Sequence, residues 1–168
     1  TVNNSGTLQS AGGLDVTAAS VVNNGAVLAA GQLDASTVSG LNNTAGGAMQ
    51  AGTALTLTGQ SIGNAATATL MGQRVAVNAG NGFSNAGALQ ASAGAATLRV
   101  SGTLDNSGTV HATGNIDIAD RAGAATQAVT NSGTLLTDQA LVLTAAKMAN
   151  TATGRVQAYT GSTVAASR

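Results

Sequence analysis

The chain has 168 residues and no formal net charge; 7% of residues are charged, 43% apolar and 1% aromatic, with no Cys, Pro or Trp. Six basic residues scattered along the chain make no stripe for phosphate or an anionic bilayer, which excludes electrostatic docking to nucleic acid or to a membrane surface. No apolar run approaches the ~20 residues of a membrane span, and this apolar content without net charge separates the chain from disordered linkers.

Read in chain order, eight units each open on an apolar residue followed two positions later by asparagine. These anchors are Val2-Asn3-Asn4, Val22-Asn23-Asn24, Leu41-Asn42-Asn43, Ile62-Gly63-Asn64, Phe83-Ser84-Asn85, Leu104-Asp105-Asn106, Val129-Thr130-Asn131 and Met148-Ala149-Asn150. Their spacings are 20, 19, 21, 21, 21, 25 and 19 residues. A period of about 20 is the signature of a solenoid repeat.

Within each unit the anchor leads into a short Gly-containing turn, a second apolar-x-small segment, another turn, and an apolar-x-apolar segment. The first unit shows the pattern in Ser5-Gly6, Leu8-Ser10 and Leu14-Asp15-Val16. The sixth repeats it in Ser107-Gly108, Val110-Ala112 and Ile116-Asp117-Ile118. The third segments align as Leu14/Val16, Leu55/Leu57, Val75/Val77, Leu98/Val100, Ile116/Ile118 and Leu141/Leu143. Such alternation is strand periodicity with one buried face, whereas glycine this frequent would cost a helix about 1 kcal/mol at each position.

Three short strands per unit have no hairpin partner, so each must pair in parallel with its counterpart in the next unit. Parallel crossovers are overwhelmingly right-handed. The expected fold is therefore all-β: a right-handed parallel β-helix of about eight coils of roughly 20 residues, forming one elongated domain over residues 1–168. The lack of proline fits a ladder in which every rung donates its N–H. A chain that starts and stops in mid-pattern is expected to be a segment of a longer shaft.

Asparagine at one fixed corner has a physical reason. Stacked carboxamides donate to one another from coil to coil and satisfy turn backbone groups. The expected ladder comprises Asn4, Asn24, Asn43, Asn64, Asn85, Asn106, Asn131 and Asn150. Glycosylation triplets at Asn3-Asn4-Ser5 and Asn42-Asn43-Thr44 are short enough to arise by chance in so Asn-rich a chain.

Departures from the lattice mark the loops. Units three, four and eight carry about two extra residues in the first turn, as in Thr44-Ala45-Gly46-Gly47. The longest unit is the sixth, whose surplus falls around Asp120–Gln127. Insertions in repeat proteins sit on the surface, so Asp120, Arg121, Thr126 and Gln127 form the expected interaction loop, if the segment binds anything itself.

Catalysis finds little support. A polysaccharide-cleaving site needs two carboxylates within about 10 Å, usually in an aromatic-lined cleft. The one local concentration of reactive groups is His111, Asp117, Asp120 and Arg121. The lattice places His111 outward with Gln9, Leu28, Gln50, Met71, Gln90, Leu136 and Gln157, and Asp117 outward with Asp15, Asp34, Thr56, Ala76 and Arg99. An Arg99–Asp117 pair is expected instead, worth at most about 1 kcal/mol. One histidine and no calcium nonapeptide give no metal site, and no cofactor motif meets its structural context, so no catalytic, cofactor-binding or metal residue is expected.

Residues 2–18, Val-Asn-Asn-Ser-Gly-Thr-Leu-Gln-Ser-Ala-Gly-Gly-Leu-Asp-Val-Thr-Ala, and residues 104–118, Leu-Asp-Asn-Ser-Gly-Thr-Val-His-Ala-Thr-Gly-Asn-Ile-Asp-Ile, resemble the repeats of filamentous haemagglutinin. They look equally like the shaft repeats of contact-dependent growth-inhibition toxins. The likeness covers about residues 2–165. It implies the shaft of a large bacterial exoprotein, exported by a two-partner-secretion transporter of the outer membrane and displayed at the cell surface. It also implies a host-cell receptor or glycan as partner for an adhesin, or a carboxy-terminal toxin for a delivery protein. No Arg-Gly-Asp tripeptide is present.

Overall fold

A computed structural model describes residues 1–166 of the chain. Its strands are all parallel and stack as a β-solenoid of about eight turns, with no helix among the described residues. Each coil has three sides. The first carries the asparagine anchors, as in Val2–Asn4, Thr103–Asn106 and Ala128–Asn131. The second carries Thr7–Ser10, Ala26–Ala29 and their successors. The third carries Ala96–Val100, Ile116–Ala119 and Ala140–Ala145.

Second-side strands form a separate eight-stranded parallel sheet, while the first and third sides share one twelve-stranded sheet. Sharing arises because Leu14–Asn23, Leu33–Asn43, Ala54–Asn64 and Arg74–Asn85 run as single strands from the third side of one coil into the first side of the next. Three separate short strands per unit are the expectation; here the third of one coil and the first of the next are continuous. The corner is made by register shifts instead, between Ala18 and Ser20, Ser36 and Gly40, and Gly59 and Ser61. A bulge of this kind bends a strand without ending it.

Apolar columns from the three sides fill the interior. On the first side Val21, Leu41, Ile62, Phe83, Leu104 and Val129 stack in register and are buried. On the second side Val27, Met49, Leu70, Leu89, Val110 and Leu135 do the same. Each large side chain fully removed from water contributes roughly 1.5–3 kcal/mol. Small residues at Ala29, Ala51, Gly72, Ala91 and Ala112 leave room for the facing columns. Close stacking dictates glycine at the first turn as well. A Cβ on Gly108 would lie 2.1 Å from the carbonyl oxygen of Gly87, and one on Gly133 would lie 2.0 Å from that of Gly108.

On the third side the fifth coil aligns differently from expectation. Ala96 and Leu98, not Leu98 and Val100, pair with Val75/Val77 and with Ile116/Ile118. Alanine thus occupies a buried core position here. Thr97, rather than Arg99, consequently shares the outward column of Asp117.

Candidate functional site

The asparagine column is the most developed polar arrangement in the molecule. Asn4 donates from Nδ2 to Oδ1 of Asn23, Asn23 to Asn43, Asn43 to Asn64, and Asn64 to Asn85, at 2.8, 2.8, 3.0 and 2.8 Å. The series continues through Asn106, Asn131 and Asn150 at 2.8, 2.7 and 2.7 Å. Each amide also bonds backbone carbonyls at the turns or at the strands that follow them; Asn23 Nδ2, for instance, donates to Gly25 O and to Ala48 O. The low dielectric of the interior strengthens such bonds and makes any unpaired member costly.

One member of the expected column is corrected. In the second coil the ladder residue is Asn23, which is buried, whereas Asn24 is exposed in the turn. Its Oδ1 there accepts a bond from the Thr44 hydroxyl at 3.1 Å. Val21, rather than Val22, is accordingly the inward anchor, paired with Val2 and Leu41.

The sixth-coil insertion folds largely onto itself. Asp120 Oδ1 accepts the backbone N–H groups of Ala122 and Ala124 at 2.8 and 2.6 Å, and the Asp120 N–H donates to Ala124 O at 2.9 Å. Gly123 completes the turn at φ 83°, the left-handed region that glycine enters without a Cβ clash. Residues 121–124 and Gln127 are exposed.

Thr126 departs from the expectation of a surface residue. It is fully buried, because the chain regains the lattice there by bridging Ala145, with Thr126 N–H on Thr144 O at 3.1 Å. Its hydroxyl is the one buried side-chain polar atom without a hydrogen-bond partner among the described residues.

The reactive side chains of the sixth coil are each engaged by partners of their own. Asp117 pairs with Arg99, Oδ2 to Nη2 at 2.5 Å. The hydrogen bond to Asp117 is the main cause holding the Arg99 guanidinium above its ordinary pKa, and partial burial opposes it. His111 lies on the second side, with Nε2 3.7 Å from Oδ1 of Asp138. Asp120 is occupied by its own turn. No group of three His, Cys, Asp or Glu suited to a metal occurs among the described residues.

Surface depressions are shallow and open. One of about 440 Å³ lies along the first side around Asn42, Gly63 and Ser84. Another of about 550 Å³ lies on the second side beside Gln9, Leu28, Gln50 and Met71. Neither contains a carboxylate pair, so neither offers the acid and base that glycoside cleavage needs.

Fold and polar ladder together define a parallel β-solenoid, a class in which the chain builds length and surface from stacked repeats. Residues 1–50 match the family model described as haemagglutinin repeat. That match supports a likeness of this segment to the repeats of the filamentous haemagglutinin family. Comparison with curated proteins finds no match, and neither does comparison with solved structures.

Proposed function

We propose that this chain is a structural shaft segment of a large secreted, surface-displayed bacterial adhesin of the filamentous haemagglutinin type, serving attachment to host cells. The observation that carries this reading is the uninterrupted asparagine ladder, seven side-chain bonds joining eight coils. A ladder of this kind resists shear between coils and makes the repeat extensible, which suits a projecting rod. Export through an outer-membrane two-partner-secretion transporter, and a host-cell receptor or glycan as the ultimate partner, belong to the same proposal. Within the segment, the exposed tip around Arg121 and Gln127 is the proposed contact point, with Asp120 holding its shape.

The test is made in the complete secreted protein. Removing two whole coils should leave secretion intact and shorten the rod by about 10 Å, two strand spacings. Replacing residues 120–127 by a short turn should lower host-cell attachment. Unchanged attachment would remove the loop from the proposal. Dependence of toxin delivery to neighbouring bacteria, instead of host attachment, would place the segment in a contact-dependent inhibition protein. Glycan cleavage abolished by Asp117→Asn would overturn the structural reading altogether.

A further inference from the structure

Two Asn-Gly dipeptides occur in the chain, Asn24-Gly25 and Asn81-Gly82. An asparagine followed by glycine can cyclise, because the next backbone nitrogen attacks the side-chain carbonyl carbon and glycine has no Cβ to obstruct it. The attack requires the peptide plane between the two residues to turn, so whatever holds that plane decides the outcome. Both asparagines are exposed, and the lattice treats them oppositely.

Asn24 and Gly25 form the corner between the strands Leu14–Asn23 and Ala26–Ala29. The rungs on either side are firm: Asn24 N–H donates to Asn4 O and Ala26 N–H to Gly6 O, both at 2.8 Å. The peptide joining the two residues is held loosely. Gly25 N–H reaches Asn23 Oδ1 at 3.4 Å, and the Asn24 carbonyl accepts no hydrogen bond among the described residues. Corresponding glycines are held closer, with Gly87, Gly108 and Gly133 donating to Asn64 O, Asn85 O and Asn106 O at 3.2, 2.9 and 3.1 Å. Asn81-Gly82 instead lies inside the strand Arg74–Asn85, where Gly82 pairs with both Ser61 and Thr103. The Asn81 carbonyl oxygen is wedged against the next coil, 1.5 Å from where a Cβ on Gly102 would stand. Ladder asparagines are guarded in another way. From Asn23 to Asn150, the N–H of the following residue donates to the ladder asparagine carbonyl one coil earlier, at 2.8 to 2.9 Å.

We propose that Asn24-Gly25 is a self-modification site, a corner that deamidates in the folded protein and opens the stack between the first and second coils. The Gly25 nitrogen bonds to Asn24 Cγ and gives up its proton; the Cγ–Nδ2 bond breaks, and ammonia leaves with that proton. Water then opens the resulting cyclic imide at either carbonyl, leaving aspartate or isoaspartate at position 24. The Thr44 hydroxyl, 3.1 Å from Asn24 Oδ1, is placed to stabilise the oxyanion that forms there. Its proton is free for this task, because Asn23 O, its other neighbour at 3.0 Å, already accepts the Thr44 N–H. Isoaspartate carries the main chain through the side chain and so lengthens it by a carbon. The corner has no slack for that atom: a Cβ on Gly25 would already lie 2.1 Å from Gly6 O. A flanking rung must break, and with it the register that brings Asn4 to Asn23.

The test ages the whole chain at mildly alkaline pH and follows it by peptide mapping with mass spectrometry and by isoelectric focusing. A formal net charge of zero makes each new carboxylate visible as an acidic band. Product should accumulate at position 24 and form at least about tenfold more slowly at Asn81, whose strand must open first. In urea both sites should react alike. Chains carrying isoaspartate should lose amide-exchange protection in residues 2–16, while Ala96–Val100 keeps it. Asn24→Gln, which would need a larger ring, should stay unmodified, and Thr44→Val should slow the reaction about threefold. Folded chains that react equally at both sites, or give no product at position 24, would overturn the proposal. Isoaspartate at position 24 without local loss of protection would overturn the opening of the stack, and an unchanged rate in Thr44→Val the role of its hydroxyl.

Discussion

Asn23 donates its side-chain amide to Oδ1 of Asn43 at 2.8 Å while its own Oδ1 accepts from Asn4 at 2.8 Å. Asn23 is buried and its sequence neighbour Asn24 is exposed, so the two residues offer a controlled comparison. Asn23→Ala leaves the buried Asn43 oxygen without its donor, at a cost of about 1–3 kcal/mol, and strips the Asn4 amide of one of its three acceptors. Thermal or urea unfolding should therefore show a loss of about 2 kcal/mol. Asn24→Ala removes only an exposed bond with Thr44 and should stay within about 0.5 kcal/mol of the parent. Equal effects would show that the column does not carry the stability assigned to it.

Much of this was legible in the sequence, because a repeat states its geometry eight times. The misplaced ladder member shows where reading by apolar anchor fails: Val21-Val22-Asn23-Asn24 satisfies apolar-x-Asn in two registers. The turn glycine resolves it. Asn4-Ser5-Gly6, Asn85-Ala86-Gly87, Asn106-Ser107-Gly108 and Asn131-Ser132-Gly133 all place glycine two residues after the ladder asparagine, which selects Asn23 before Gly25. The fifth-coil slip has another cause. Ala96 is a weak hydrophobic signal beside Leu98 and Val100, and only the parallel register reveals that it occupies the core. Thr126 was illegible for a further reason: an insertion leaves the lattice, and nothing local states where it returns.

Glycine stacking gives the second comparison. Gly108→Ala forces a Cβ to 2.1 Å from the Gly87 carbonyl oxygen, a backbone atom held by the next ladder rung. The coils must separate locally, and a cost at or above the 1–3 kcal/mol of ordinary overpacking is expected. Gly6→Ala, with nothing within 4 Å of the added carbon, should be tolerated. Unfolding midpoints of the two variants check this, and equal midpoints would reject coil-to-coil approach as the reason for the glycine column.

The Arg99–Asp117 pair supplies a prediction about pH and salt. Both side chains are partly exposed, which limits the pair to at most about 1 kcal/mol. The Arg99 pKa is raised above its ordinary value, chiefly by the hydrogen bond to Asp117. A base held above its unfolded pKa contributes stability that is complete below that unfolded value and is lost only as pH rises past the folded one. From neutral pH to mild alkali, therefore, Arg99→Gln should lower stability by a constant small amount, and high salt should shrink the difference. A difference that titrates within that interval would place its origin elsewhere.

The most informative single substitution lies where the insertion rejoins the lattice. The Thr126 hydroxyl is fully buried without a partner, and such an orphan costs about 1–3 kcal/mol relative to an apolar isostere. Valine has nearly the same shape, so Thr126→Val should stabilise the chain by about 1 kcal/mol or more. Thr137 is the control: it is equally buried, but its hydroxyl donates to Gly114 O and accepts from the Gln139 N–H. Thr137→Val strips partners from two backbone groups and should destabilise by about 1–2 kcal/mol. Opposite signs for the same chemical change, measured by urea unfolding, would tie the effect to hydrogen-bond satisfaction rather than to hydrophobicity. If Thr126→Val instead destabilises, the hydroxyl has a partner such as a buried water, and the return of the sixth coil to the lattice is more polar than the protein atoms alone indicate.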